Sequence, residues 1–183
     1  MQLKQDFKPM LVLMSFTVIL FLAFTFLFTT NRYFDFSPYQ YYYASIAGNF
    51  FIIPFVYTYY VLWVQYKKGE QVNGDFIQTL RSCLFIFVFA SFFSMLFIWI
   101  YLNFWDAQAA EIFMEQKRQV QIQSLENLQD PIEKKEKLAY FNSKEVLAEK
   151  YFSAKNIWVM FYPFIVLFYL MISLVLSMFF RKK

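Results

Sequence analysis

Four long apolar runs, separated by polar stretches, set the plan of this chain. They cover about residues 9–28, 43–66, 76–104 and 157–180, and each reaches the roughly 20 residues a helix needs to cross a bilayer. Pro9 suits the start of the first run. The third follows "NGD", where Asp75 can cap and Gln78 takes the third helical position of a capping-box-like pattern. Arg81 falls within its first two turns, close enough to the end to snorkel to the headgroups. The fourth run ends in "RKK".

The longest polar stretch, about residues 105–156, has its own pattern. It lacks glycine and is rich in Glu, Gln, Lys, Ala and Leu, all good helix formers. The third spanning helix is therefore expected to run without a break through "WDAQAAEIFMEQKRQVQIQSLENL". "DPIE" marks a new start, with Asp130 as cap, Pro131 at the first helical position and Glu133 at the third. "NSKE" repeats the signal at Asn142 and Glu145 and leads into the fourth span. The pattern predicts an all-α integral membrane bundle of four transmembrane helices. Helices three and four extend into an extramembrane helical hairpin.

Tyrosines mark the second span. Tyr39, Tyr41, Tyr42 and Tyr43 precede an apolar run, and Tyr57, Tyr59 and Tyr60 follow it. In a helix Tyr42 and Tyr60 lie about 27 Å apart at 1.5 Å per residue, close to the hydrocarbon thickness of about 30 Å. Tyrosine favours the membrane–water boundary, so the two groups read as marks at its two faces.

Composition supports the membrane reading and narrows the chemistry. The chain is 60% hydrophobic and only 16% charged, against about 25% charge in a soluble domain. Its net charge of +4 is not gathered into one stripe, which argues against nucleic acid. There is no histidine, and Cys83 is the only cysteine. This sequence therefore contains no Cys/His zinc site, His-based triad, Cys–His dyad or internal disulfide. The first run ends "FTFLFTTNRYF" without a small-x-small cleavage site and reads as a retained signal anchor.

Lysine and arginine set the orientation. One side receives Lys4, Lys8, Lys67, Lys68, Arg81, Arg181, Lys182 and Lys183, whereas the short loop at 29–42 receives only Arg32. The positive-inside rule then puts both termini on the cytoplasmic side of a multi-pass membrane protein. Trp105 to Asn156, with eight basic and nine acidic residues, then lies outside.

No residue is nominated as catalytic, cofactor-binding or metal-binding. Asp75 and Asp106 read as caps at the ends of helix three. Glu111, Glu115, Lys117 and Arg118 read as a solvated face with weak salt bridges. The nominated residues concern packing or a partner interface. Ala44 and Gly48, Ala90 and Ser94, and Ser173 and Ser177 are small pairs at four-residue spacing that let helices approach closely. Asn49, a turn or two below the outer tyrosines, is expected to make an interhelical hydrogen bond or to line a groove. Gln65 is expected to reach water. Pro54 and Pro163 each remove a backbone hydrogen bond and are expected to kink their helices.

Lys67 and Lys68, the turn "KKGEQVNGDF", helix three, the charged "EIFMEQKRQVQIQ" segment and the terminal "FFRKK" occur together. In these features, mainly from Lys67 onward, the chain resembles small four-helix membrane proteins of Bacteroidetes known only as a domain-of-unknown-function family. It departs from them in having Met14, Ser15 and Cys83 near positions where glycines are usual. The resemblance implies no activity, but it implies a partner of the polyprenyl-phosphate glycosyltransferase type. The functional expectation is a non-catalytic accessory or scaffold subunit of an envelope complex, without cofactor. It would contact membrane lipids and either a membrane-protein partner or further copies of itself. A carrier for a small solute or lipid intermediate is the alternative.

Overall fold

The computed structural model describes residues 2–29, 40–69, 76–126, 131–141 and 151–179. Among these residues, four helical spans are long and apolar enough to cross a membrane: Asp6–Phe28, Gln40–Lys67, Phe76–Trp105 and Asn156–Phe179. The first lies within α1 (Gln2–Thr29). The second is built from α2 (Gln40–Ala47), a π-helical turn at Gly48–Ile52, and α3 (Ile53–Gly69). The third joins α4 (Phe76–Ile100) to a π-helical turn at Tyr101–Trp105. The fourth joins a π-helical turn at Asn156–Phe161 to α7 (Tyr162–Phe179). Beyond the third span come α5 (Ala107–Glu126) and α6 (Pro131–Phe141), which pack on each other. No strand occurs among the described residues. The chain is a multi-pass, all-α membrane protein with an extramembrane helical extension.

The π turns have identifiable causes at the two prolines. A proline ring crowds the carbonyl four residues back and offers no N–H. The widened turn ends two residues before Pro54 and again two residues before Pro163. Its bonds reach five residues back, from the Ile53 N–H to the Gly48 carbonyl and from the Tyr162 N–H to the Ile157 carbonyl.

The third span does not run unbroken into the hairpin, contrary to the expectation from composition. Asp106 leaves helical geometry at φ −141°, ψ 72°. Its own N–H bonds to the Tyr101 carbonyl at 2.8 Å, closing the π turn. Its carboxylate then accepts the Ala109 N–H at 3.0 Å, so one aspartate ends one helix and caps the next. Helix propensity is a weak prior, and a good local cap overrides it. The cap proposed at Asp75, those at Asp130 and Asn142, the loop residue Arg32, and the second leg of the hairpin through 142–150 lie outside the described residues.

The helix α4 is central, with α1 and α7 packed along it and α3 lying more lightly against both α1 and α4. The buried positions form narrow stripes at helical spacing. Asp6, Met10, Leu13 and Thr17 face inward from α1; Cys83, Ile86, Phe87, Ala90 and Ser94 from α4; Tyr169, Ser173, Leu176 and Ser177 from α7. The remaining faces are apolar and exposed, as lipid-facing surfaces are.

Candidate functional site

Tyr57 corrects the boundary-marker reading of the tyrosines. It sits in the bundle centre, 1% exposed. Its ring stacks on Tyr169 and Phe87, with centroids at 5.5 and 6.4 Å, and those two stack on each other at 4.7 Å. The hydroxyl lies 2.8 Å from Thr17 Oγ1, 3.3 Å from the Leu13 carbonyl and 3.5 Å from Ser94 Oγ. Thr17 Oγ1 in turn lies 3.1 Å from that carbonyl. One hydrogen per hydroxyl satisfies the whole chain if Ser94 donates to Tyr57, Tyr57 to Thr17 and Thr17 to Leu13. A buried tyrosine needs a partner for its hydroxyl, and two other helices, α1 and α4, supply it here. Tyr41 is buried in the same manner, 3.3 Å from Thr25 Oγ1 and stacked on Phe28. Tyr43 and Tyr59 are exposed, where a boundary tyrosine belongs.

A second polar cluster closes the end of the bundle nearest the termini. Gln65 Nε2 donates to Ser82 Oγ at 2.8 Å, and Ser82 Oγ donates to Asp6 Oδ1 at 2.7 Å. Asp6 and Gln65 are both 5% exposed, so Gln65 does not reach water as expected. Sequence reasoning passed over Asp6 entirely. The signal was present, because Asp6, Met10, Leu13 and Thr17 fall at i, i+4, i+7 and i+11 on one helical face.

At the opposite end the hairpin is rooted on the bundle. Ala109, Ala110 and Met114 of α5 are buried. Gln116 Oε1 accepts the Tyr42 N–H at 3.2 Å, supplying a partner to one of the free amides at the start of α2. Asn103 Nδ2 donates to the Phe152 carbonyl at 3.2 Å, tying the third span to the approach to the fourth. Phe113 packs among Tyr41, Tyr42, Tyr151 and Phe152. Above this cluster the Lys117 ammonium lies 3.8 Å from the Tyr151 ring centroid, a cation–π contact. Burial pushes the Lys117 amine below its ordinary value and the Tyr151 phenol above its own. Two residues before Lys117, the exposed Glu115 accepts two hydrogen bonds from Arg118, both at 2.9 Å. Those bonds hold its carboxyl below the usual range. Among the described residues, Trp99 Nε1 and Gln121 Oε1 are buried without a hydrogen-bond partner; nothing in the structure explains either.

The small residues nominated for helix packing are not gathered into one patch. Gly48 is buried against α1, where a Cβ would come within 2.9 Å of the Phe24 ring. Ala44, one turn earlier, is half-buried. Ala90 and Ser94 lie in the α4 seam. Ser173 and Ser177 are fully buried, and their hydroxyls donate to the carbonyls of Tyr169 and Ser173 at 2.7 and 2.6 Å. Asn49 departs from this set. It is exposed on the outer face of the second span, and among the described residues its side chain makes no hydrogen bond. Of the two expectations for Asn49, the interhelical bond is not formed among the described residues. Phe50, Phe51 and Phe55 are exposed beside it.

Spans joined by buried hydroxyl and amide bonds, with a hairpin rooted at one end, define a polytopic helical membrane protein. The profile of the family described as "Protein of unknown function (DUF4199)" matches residues 11–182, so the chain belongs to that family. No curated protein and no solved structure matches it.

Proposed function

We propose that the chain is a non-catalytic accessory or scaffold subunit of an envelope membrane complex. In this reading it lies in the bacterial inner membrane with both termini cytoplasmic and the hairpin periplasmic. The observation that carries the reading is Asn49. The second span has 28 residues and is about 42 Å long at 1.5 Å per residue. Centred in the membrane, it puts Asn49 about 7 Å from the bilayer midplane, inside a hydrocarbon core about 30 Å thick. An amide exposed there has no water to bond to, and leaving it unpaired is costly. Pro54 adds to the polarity nearby, because its missing N–H leaves a carbonyl of the preceding turn without that donor. A helix of another membrane protein, offering a polar side chain between the phenylalanines, would satisfy the amide. Resemblance makes a polyprenyl-phosphate glycosyltransferase the partner of first choice.

Two further observations support a subunit over a carrier or an enzyme. The stacked rings of Tyr57, Phe87 and Tyr169 fill the middle of the bundle, where a carrier would hold its substrate. The polar groups of the spans around Tyr57 and Asp6 are used in bonds between helices. A photoreactive residue at the exposed position 50, beside an intact Asn49, compared in cells with one at the lipid-facing position 171, tests the proposal. The expected result is a discrete protein adduct from position 50 only, lost when Asn49 is replaced by leucine, with membrane insertion unchanged. No protein adduct at 50, or the same adducts from both positions, refutes it.

A further inference from the structure

The outward face of α4, opposite the stripe that packs in the bundle, carries a shallow groove of about 430 Å³. Its lining comes from one helix and includes Leu80, Arg81, Leu84, Phe85, Val88 and Phe89. All but Arg81 are apolar. Arg81 is exposed at the end nearest the termini, and among the described residues it forms no ion pair. Phe85 and Phe89 stand side by side along one flank, with centroids 4.6 Å apart. Toward the membrane centre, the Val88 carbonyl is occupied by the Tyr162 hydroxyl at 3.0 Å, so the groove floor presents no unpaired acceptor there.

We propose that this groove binds one anionic glycerophospholipid from the leaflet nearest the termini. Its phosphate meets the Arg81 guanidinium, and one acyl chain lies along Leu84, Phe85 and Val88. Charge and length both fit this occupant. A guanidinium offers a planar fork that matches phosphate oxygens, and no acidic side chain of the groove competes for it. From Arg81 to Phe89 the helix rises about 12 Å at 1.5 Å per residue, close to one leaflet's share of a hydrocarbon core about 30 Å thick. A cation at one end of an apolar trough of leaflet depth suits a lipid better than a second helix, which would continue past mid-membrane.

Native mass spectrometry of the detergent-purified full chain, titrated with phosphatidylglycerol or phosphatidylcholine of equal acyl length, tests the site. The expected result is one tightly retained phosphatidylglycerol, preferred over phosphatidylcholine. Replacing Arg81 with glutamine should weaken that preference about five-fold, the size expected for one basic residue at an anionic surface. Val88→Trp, which fills the groove and keeps the charge, should lower retention of the bound lipid. Lys8→Gln removes an exposed cation near the same end but outside the groove, and should change neither. Equal binding of the two lipids overturns the proposal, as does an equal loss in Lys8→Gln and Arg81→Gln. A photoreactive residue at position 77 that captures a second copy or another protein, rather than lipid, also overturns it.

Discussion

Replacing Tyr57 with phenylalanine removes one oxygen from the bundle centre and leaves the ring stack on Tyr169 and Phe87 in place. The hydroxyl has three neighbours at 2.8, 3.3 and 3.5 Å. Only the first lies near the usual O–H···O distance of about 2.7–2.8 Å, so the Thr17 bond carries most of the interaction. Side-chain hydrogen bonds between helices in membranes average about 0.6 kcal/mol and reach about 1.7. Tyr57→Phe also leaves Ser94 Oγ without its acceptor, which raises the expected cost to about 1–2 kcal/mol. Thr17→Val breaks the same bond from the other side and should cost about 0.6–1.7 kcal/mol. The double variant should cost less than the sum, with a coupling energy of about 0.6–1.7 kcal/mol. Reversible unfolding in mixed micelles by increasing denaturing detergent, followed by far-ultraviolet circular dichroism, measures all four corners of the cycle. Coupling below about 0.3 kcal/mol would show that the two residues act independently. The three-hydroxyl chain would then have no part in holding α1, α3 and α4 together.

Asp106→Ala removes the cap between the third span and the hairpin. It should cost about 0.5–2 kcal/mol of local stability, read as faster amide exchange at the start of α5; unchanged exchange there would refute the capping role. Lys117 gives the hairpin root a pH dependence. Its folded-state value is lowered by burial from the ordinary 10.5, so below the folded value the docked state bears the full cost of the buried charge. As pH rises through that value toward 10.5, the docked lysine loses its proton first, and docking is strengthened. Protease cleavage within α5 should therefore slow, relative to a protease-matched reference peptide, as pH rises over this range. Lys117→Met should abolish the trend.

The four spans were legible because length and apolarity alone decide whether a helix can cross a bilayer. Pro131 was legible as a helix start for the same kind of local reason, a fixed φ at a position that needs no N–H. Tyr57 was not. Its neighbours in sequence, Tyr59 and Tyr60, suggest a boundary, and only the approach of Thr17 and Ser94 from two other helices makes burial tolerable. Asp6 lay before the first apolar run as drawn from hydropathy, and its partner Ser82, with Gln65 bonded to Ser82 in turn, lies more than fifty residues away. Asp106 was read as a cap but not as a break, because the composition on both sides favours helix and the π turn that precedes it has no proline to announce it. Asn49 was singled out as a desolvation problem, and the structure leaves it exposed on the second span. Which way it faces depends on how α2 and α3 meet at the intervening turn, which no count of polar and apolar residues reveals.

That turn is one of three among the described residues, at Gly48–Ile52, Tyr101–Trp105 and Asn156–Phe161. Each of the three lies toward the hairpin end of its span, while α1 runs through without one. A π turn holds one residue more than the α-helix around it. Each residue advances an α-helix by about 100°, so the surplus rotates everything beyond it by about that angle relative to an unbroken helix. The bundle thus has two angular phases. On the terminal side, Asp6, Gln65, Cys83 and Tyr169 share one inward alignment; Tyr41, beyond the Gly48–Ile52 turn, and Leu102 and Ile157, within the other two, reach the interior through a reset one. A single-residue deletion inside the Gly48–Ile52 or Asn156–Phe161 turn would restore one continuous phase for that span and swing its outer part by about a quarter-turn. The hairpin's orientation on the bundle is therefore encoded in where the chain carries its extra residues as much as in which side chains line its root.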